Sequence, residues 1–253
     1  AIAFAGILSA VLRSEGVQPQ HETIIWPLRI PRALLALLIG AALAVSGTIT
    51  QSVMRNPLAE PGILGINSGA ALAAMLVIVE LKGVSDAALP WLTFAGALTM
   101  TVAIYALSWR QGTTTLRIIL VGLGLSALAG AGASFIATFG APAAVQRAMI
   151  WMAGSLQDSR WVKGEVLALW LILPFAAVWF LAKELDLIAF DEEIARSLGQ
   201  RVGLIRALSI LAAAALSGAA VAAAGLVAFV GLAAPHIARR LVGHHHRALL
   251  PAA

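Results

Sequence analysis

The chain has 253 residues, of which 60% are hydrophobic and only 11% charged, with a formal net charge of +5 and no cysteine. A soluble domain of this length would carry about a quarter charged residues, and without cysteine neither disulfides nor thiolate chemistry can contribute. The positive balance reflects loop arginines on a chain with few charges and does not point to nucleic acid.

Six long stretches lack any Asp, Glu, Lys, Arg or His: 33–54, 61–79, 87–109, 118–146, 166–182 and 207–235. A helix needs about 20 residues to cross the hydrocarbon core, so each stretch predicts a span and the chain reads as an all-α polytopic membrane protein. Residues 1–12 read as the tail of another span and 248–253 as the start of one more. There is no initiator Met, and "ALLPAA" stops inside an apolar run, so both ends are expected to be truncated; nothing in the sequence resembles a cleavable leader, which a missing N-terminus could hide.

Arg29 and Arg32 bracket Pro31 and are the last charges before the first stretch. Loop charges leave the orientation open. If the loop after Met54 is cytoplasmic, seven Lys or Arg lie inside and seven lie outside up to Lys163. The spans themselves hold no ionisable group. Ion-coupled transporters keep such groups at membrane depth as relays or ligands, so secondary transport is disfavoured, as is a carboxylate-dependent intramembrane enzyme. No lysine follows a glycine, so the chain lacks a G-K-[ST] phosphate loop and its own nucleotide site.

Shifting the chain by 178 positions aligns 40–65 with 218–243, where Gly40, Ala41, Ala42, Ala44, Gly47, Pro57 and Gly65 meet identical residues. The spacing predicts an internal repeat, a transporter feature, although composition alone could produce some matches. In 118–146, Gly122, Ser126, Gly130 and Ser134 recur every four residues. They make one smooth helix face, either for close helix packing or as a wall along a path.

The longest hydrophilic stretch is 183–206. Inside it Asp191 can cap a short helix, with Glu192 and Glu193 in its first turn, Arg196 in its last and Gly199 as its stop. Such a helix is too short to stand alone. Ile194, Ala195 and Leu198 must therefore pack, either on the chain's own membrane domain or on a partner.

"RIPRALLALLIGAALAVSG", "RNPLAEPGILGINSGA", "WMAGSL" and "GLVAFVGLAAPHIARRLVG…HRALLP" resemble the FecCD/BtuC-type permeases of iron-siderophore, haem and vitamin B12 ABC importers. The resemblance covers nearly the whole chain. It implies one transmembrane permease domain over 1–253, a BtuC-like bundle with an inverted repeat and ten helices at full length, about eight of them covered here. It implies partners too: a cytoplasmic ABC ATPase dimer, a periplasmic or surface substrate-binding protein, and a second permease subunit, identical or paralogous. The setting is the cytoplasmic (inner) membrane of a bacterium.

Carried over by motif, Arg29 and Arg32 face outward and pair with acidic residues of the binding protein; anchoring to lipid headgroups is the alternative. The resemblance also turns the 187–203 loop into a coupling segment, in which Asp191, Glu192, Glu193, Ile194, Arg196, Leu198 and Gly199 serve the ATPase. The helix holding Gly122, Ser126, Gly130 and Ser134 lines the translocation path or the dimer seam. Cofactors are expected on the partner alone, ATP and Mg on the ATPase, with no cofactor or metal on this chain.

Asn56, Pro57, Pro235 and His236 belong to structural motifs, with Pro235 and His236 at a helix break and Asn56 and Asn67 capping exposed backbone. His244, His245 and His246 read as a solvated loop, although adjacent imidazoles can bind metal. The expected function is permeation of an iron(III)-siderophore by alternating access, a preference resting on "LGINSGAA" and "WMAGSL". Haem or cobalamin is the alternative cargo. The other class, a membrane enzyme on lipid-linked substrates, would have only Asp158, Arg160 and Glu165 to work with.

Overall fold

The computed structural model describes residues 24–253 apart from 82, 86, 111 and 158. The segment 1–23, with its expected span tail at 1–12, and Asp158 lie outside the described residues. Among the described residues the chain is helical with no strand: α1 (Ile30–Met54, continuing a wider turn at Ile25–Arg29), α2 (Ile66–Met75, extended by Leu76–Glu80), α3 (Leu89–Leu107), α4 (Thr115–Phe139), α5 (Pro142–Met152), α6 (Trp161–Phe190), α7 (Glu192–Ser197), α8 (Val202–Ala224), α9 (Val230–Val242) and α10 (His246–Ala252). Five are long and apolar enough to cross a membrane, and Ile66–Glu80 is a shorter apolar helix.

The core is the pairing of α1 with α8. These are the most buried spans, and small residues explain it: Ala212, Ala213, Ala214, Gly218, Ala219 and Ala220 of α8 are all buried. With so little side chain between them the backbones approach closely, and Ser46 Oγ donates to the Ala213 carbonyl at 2.7 Å. α3 and α6 flank this pair, and α4 packs on α2 and its neighbouring turns. Much of α4 is left uncovered, including Leu116, Leu120, Leu123, Leu128 and Phe135.

Three charge-free stretches are not single helices, and 61–79 opens with a tight 3-10 turn at Pro61–Leu64 that Gly65, at φ +74°, separates from α2. The 118–146 stretch breaks after Phe139, where Gly140 is extended and Pro142 opens α5. The 207–235 stretch breaks after Ala224, where Gly225 takes φ +77° and 225–229 leaves the helix. A run without charge measures apolar length; glycine and proline end the helices.

The repeated stretch 40–65 holds the second half of α1, and 218–243 holds the end of α8 and all of α9; in the register of 178 the two are α-helical together over 40–46 with 218–224 and again over 52–54 with 230–232. Between them α1 runs on unbroken while its counterpart unwinds over 225–229. Pro57 lies in the loop after α1, whereas Pro235 lies inside α9. The expected helix break at Pro235 is therefore corrected to the 225–229 segment that precedes it.

Candidate functional site

The polar residues gather at the two ends of the bundle. At the first, Arg32 of α1 donates through Nε to the Leu156 carbonyl at 3.0 Å and through a terminal nitrogen to the Gln157 carbonyl at 3.4 Å. Ile24, Leu28, Arg29, Arg32, Gln157 and Ser159 line a recess of about 250 Å³. Trp26 and Trp161 stack beside it with centroids 6.2 Å apart, and Trp161 Nε1 donates to the Trp26 carbonyl at 3.1 Å. Aromatic pairs with one polar edge suit a membrane interface. Arg29 and Arg32 thus stand together at one mouth, with Arg32 fixed and both exposed.

The opposite end carries the short helix. Asp191 accepts from Glu193 N at 2.7 Å and Ile194 N at 3.0 Å, and these bonds, Ile194 first, hold its carboxyl below the usual range. Gly199, with φ +83°, closes the helix in the left-handed region. α6 is about 45 Å long at 1.5 Å per residue, well beyond an apolar core of about 30 Å, so its last turns form a post outside it. Ile188 on that post, Ala195 of α7 and Val202 of α8 make a small separate core, all three buried. Gln200 Nε2 donates to the Glu184 carbonyl at 2.9 Å and also to its carboxylate, tying the following loop to the post.

α7 therefore rests on its own chain through Ala195, while Ile194 and Leu198 stay 46% and 67% exposed. Glu192 turns the other way. Its carboxylate pairs with Arg206, with Arg196 at 3.3 Å and with Arg55 at 3.8 Å. Arg206, in the first turn of α8, is 1% exposed and also donates to the carbonyl and hydroxyl of Thr113.

A second polar cluster grips the last turn of α1. Pro235 has no N–H, which frees the Gly231 carbonyl four residues earlier. Gln51 Nε2 donates to that carbonyl and to the Leu232 carbonyl, each at 3.4 Å, and Gln51 Oε1 accepts from Arg239. One residue on, Ser52 Oγ lies 2.5 Å from His246 Nε2, and His246 Nδ1 lies 2.6 Å from Asp186 Oδ1 on α6. His246 is 2% exposed, which corrects the expected solvated loop. His244 and His245 are exposed while His246 turns inward, so the three imidazoles do not converge. Nothing in the run of three histidines marked one of them as buried.

The other residues singled out by their motifs fall into separate settings. Asn56 Oδ1 accepts from Leu58 N at 2.9 Å, the expected capping role, whereas the first turn of α2 beside Asn67 has no side-chain cap. His236 is exposed on α9. Arg160 and Glu165 are both exposed at the start of α6. Along α4, Gly122 is buried under the Ile63 carbonyl and Ser126 Oγ lies 2.9 Å from Ser68 Oγ. Gly130 and Ser134 are exposed. The stripe packs at one end and stays open at the other.

The His246 cluster carries a pH dependence. Burial outweighs the attraction of Asp186 and holds the imidazole pKa below its ordinary 6.5; Arg239 and His245 push the same way. Neutral His246 can donate Nδ1–H to Asp186 and accept from Ser52. A depressed pKa means the unfolded chain takes up the proton first, so this contribution is complete above pH 6.5 and fades as pH falls below it. The thermal midpoint of the detergent-solubilised protein should drop on acidification through that range, and His246→Gln should show a smaller drop. Equal slopes for the two proteins would remove His246 as the source.

These features define a multi-pass helical membrane protein with polar clusters at both ends of an apolar bundle. The chain belongs to the FecCD transport family, whose model matches residues 1–253. It is 40% identical over 237 residues to the Fe(3+)-citrate import system permease protein YfmE of Bacillus subtilis, covering 94% of this chain and 71% of that protein. Over 237 residues it is 39% identical to the hemin transport system permease protein HmuU of Yersinia pestis, covering 89% and 69%. A solved inward-facing conformation of a transporter assigned to the metal-chelate ABC type superposes with a TM-score of 0.87 at 31% identity, covering 98% of this chain and 82% of that one. The chain is thus a multi-pass inner-membrane transport subunit of the kind that serves ABC importers.

Proposed function

We propose that this chain passes an iron(III)-siderophore complex across the cytoplasmic membrane by alternating access, driven by ATP and Mg on partner ATPases. The observation that carries this reading is α7, a capped helix seated on its own small core with Ile194 and Leu198 turned outward. Rigid apolar anchors on a water-facing knob suit insertion into a groove on a soluble partner. Such a partner supplies the energy that the charge-free stretches of the spans cannot take from an ion gradient. Closing two ATPases would shift paired knobs and rock the helices between outward and inward openings.

In this reading the α7 end faces the cytoplasm and the Arg29 end faces out, toward a substrate-binding protein. The open half of the α4 stripe, Gly130 and Ser134, faces the path or a second permease subunit. An uncharged path cannot select by ion pairing, so selectivity rests with the binding protein. The siderophore assignment draws on relatives such as the achromobactin transport system permease protein CbrC of Dickeya dadantii, 42% identical over 227 residues.

Uptake of labelled ferric siderophore, haem and cobalamin by proteoliposomes holding permease, ATPase and binding protein tests the cargo. Retention of siderophore alone is the expected result, and haem or cobalamin uptake instead would reassign it. Reversing Arg29 and Arg32 together to Glu should weaken docking of the binding protein by up to about thirtyfold, because exposed ion pairs give about 0–1 kcal/mol each and about 1.4 kcal/mol is tenfold. The loss should be larger at low salt. Docking that is unchanged at low salt would return both arginines to lipid anchoring.

A further inference from the structure

Glu192 sits on the short helix, yet its carboxylate points into the bundle and is only 15% exposed. It meets Arg206 at the start of α8, and Arg206 extends the contact to Thr113, in the loop that leads into α4. Arg55, just past the end of α1, joins the same carboxylate at 3.8 Å. One side chain on α7 therefore touches Arg55 beside the end of α1 and Arg206 of α8, and reaches the approach to α4 through Arg206. Arg206 is buried, and Glu192 is its one carboxylate partner among the described residues. A buried guanidinium cannot part from its counter-charge cheaply, so whatever displaces Glu192 has to carry Arg206 with it.

The geometry points to Glu192 as a positioning residue that transmits movement of α7 into the membrane helices through Arg206, separately from the exposed face that meets the ATPase. The planar guanidinium suits this task, since one terminal nitrogen holds Glu192 while the other holds Thr113. A lysine in its place keeps the charge and cannot hold both. The backbone route is looser by comparison. From Leu198 to Arg201 the chain is turn and irregular, anchored mainly by Gln200. A push on α7 thus enters α8 at Arg206 and the base of α4 at Thr113 in one step, bringing together the buried central helix and the helix with the open stripe.

This inference rests on the ATPase reading of α7, and its test separates the two. Wild type, Glu192→Gln and Arg206→Lys are purified with the ATPase and reconstituted, and substrate moved per ATP hydrolysed is measured. Failure of the ATPase to co-purify with wild type would defeat the ATPase reading itself. With the ATPase attached, both variants should move about tenfold less substrate per ATP, the scale of a typical coupling free energy. A change in folding alone would lower yield and leave that ratio untouched. An unchanged ratio in the variants overturns the proposal, as does loss of the ATPase from Glu192→Gln, which would make Glu192 part of the contact face. Should Glu192→Gln not fold, Arg206→Lys, which retains the buried ion pair, decides on the same ratio.

Discussion

Replacing Ile194 and Leu198 together by Asp is expected to release the ATPase from the permease while the permease still inserts and folds. Both side chains are exposed, at 46% and 67%, and exposed substitutions usually change stability by no more than about 0.5 kcal/mol. Asp at 194 would fall in the first turn of α7, where negative charge is favourable, and Asp at 198 at its end, where it is not. The two effects largely offset. Ala195, which seats the helix against Ile188 and Val202, is untouched. In a complex the same two positions would bury carboxylates in an apolar groove. Loss of two central anchors at about 2 kcal/mol each or more lowers affinity by about a hundredfold or more, since each 1.4 kcal/mol is tenfold. Co-purification of the ATPase with the variant, at equal membrane content, is the measurement, and undiminished recovery would place the ATPase contact elsewhere.

The ends of α7 were legible because capping is local. Asp191 followed by two glutamates, an arginine in the last turn and Gly199 describe a helix within nine residues, and the structure has that helix at Glu192–Ser197. The inward turn of Glu192 was not legible. Its partner Arg55 is far away in sequence, and Arg206, with its own distant contact to Thr113, looked like one more charge at the edge of an apolar stretch. The same reason hid the Gln51 contact to the carbonyl that Pro235 frees, 180 residues on. Spans were legible as apolar length, and their ends were missed where glycine or proline stopped a helix without any charge, as at Gly140 and Gly225. The ungapped repeat set the second half of α1 against the end of α8 and all of α9, and the two do not match where α8 unwinds and α1 continues. Pairing at a distance decides the cases of Glu192 and Gln51, and periodicity along the chain does not contain it.

Gly47→Leu should produce the largest loss of stability of any single change at the core, and Gly130→Leu almost none. Gly47 lies on the buried side of α1, where a Cβ would fall on the backbone of Gly231 in α9. Gly231 is held on its other side by the Leu43 carbonyl and the Pro61 ring, each 3.0 Å from its own Cβ position. Nothing flexible can give way, because the obstacle at Gly47 is the main chain of Gly231, and Gly231 is itself closed in by a carbonyl and a rigid proline ring. Overpacking in a filled core costs about 1–3 kcal/mol and more where backbone has to move, so about 3 kcal/mol or more is expected against a total stability of about 5–15. The displaced α9 would also pull the Gly231 carbonyl and Arg239 away from Gln51, undoing the grip on the last turn of α1. At Gly130 a Cβ meets nothing within 4 Å, and replacing a mid-helix glycine can recover up to about 1 kcal/mol of helix propensity. Thermal unfolding in detergent separates the two: a marked fall in midpoint for Gly47→Leu, none for Gly130→Leu. Normal folding of Gly47→Leu would mean that α1 and α9 do not meet as described. The bulkier Gly130→Trp, at a position whose Cβ is free and exposed in the isolated chain, should then block uptake if the open half of α4 lines the path or the seam. Normal uptake by that variant would leave α4 facing lipid.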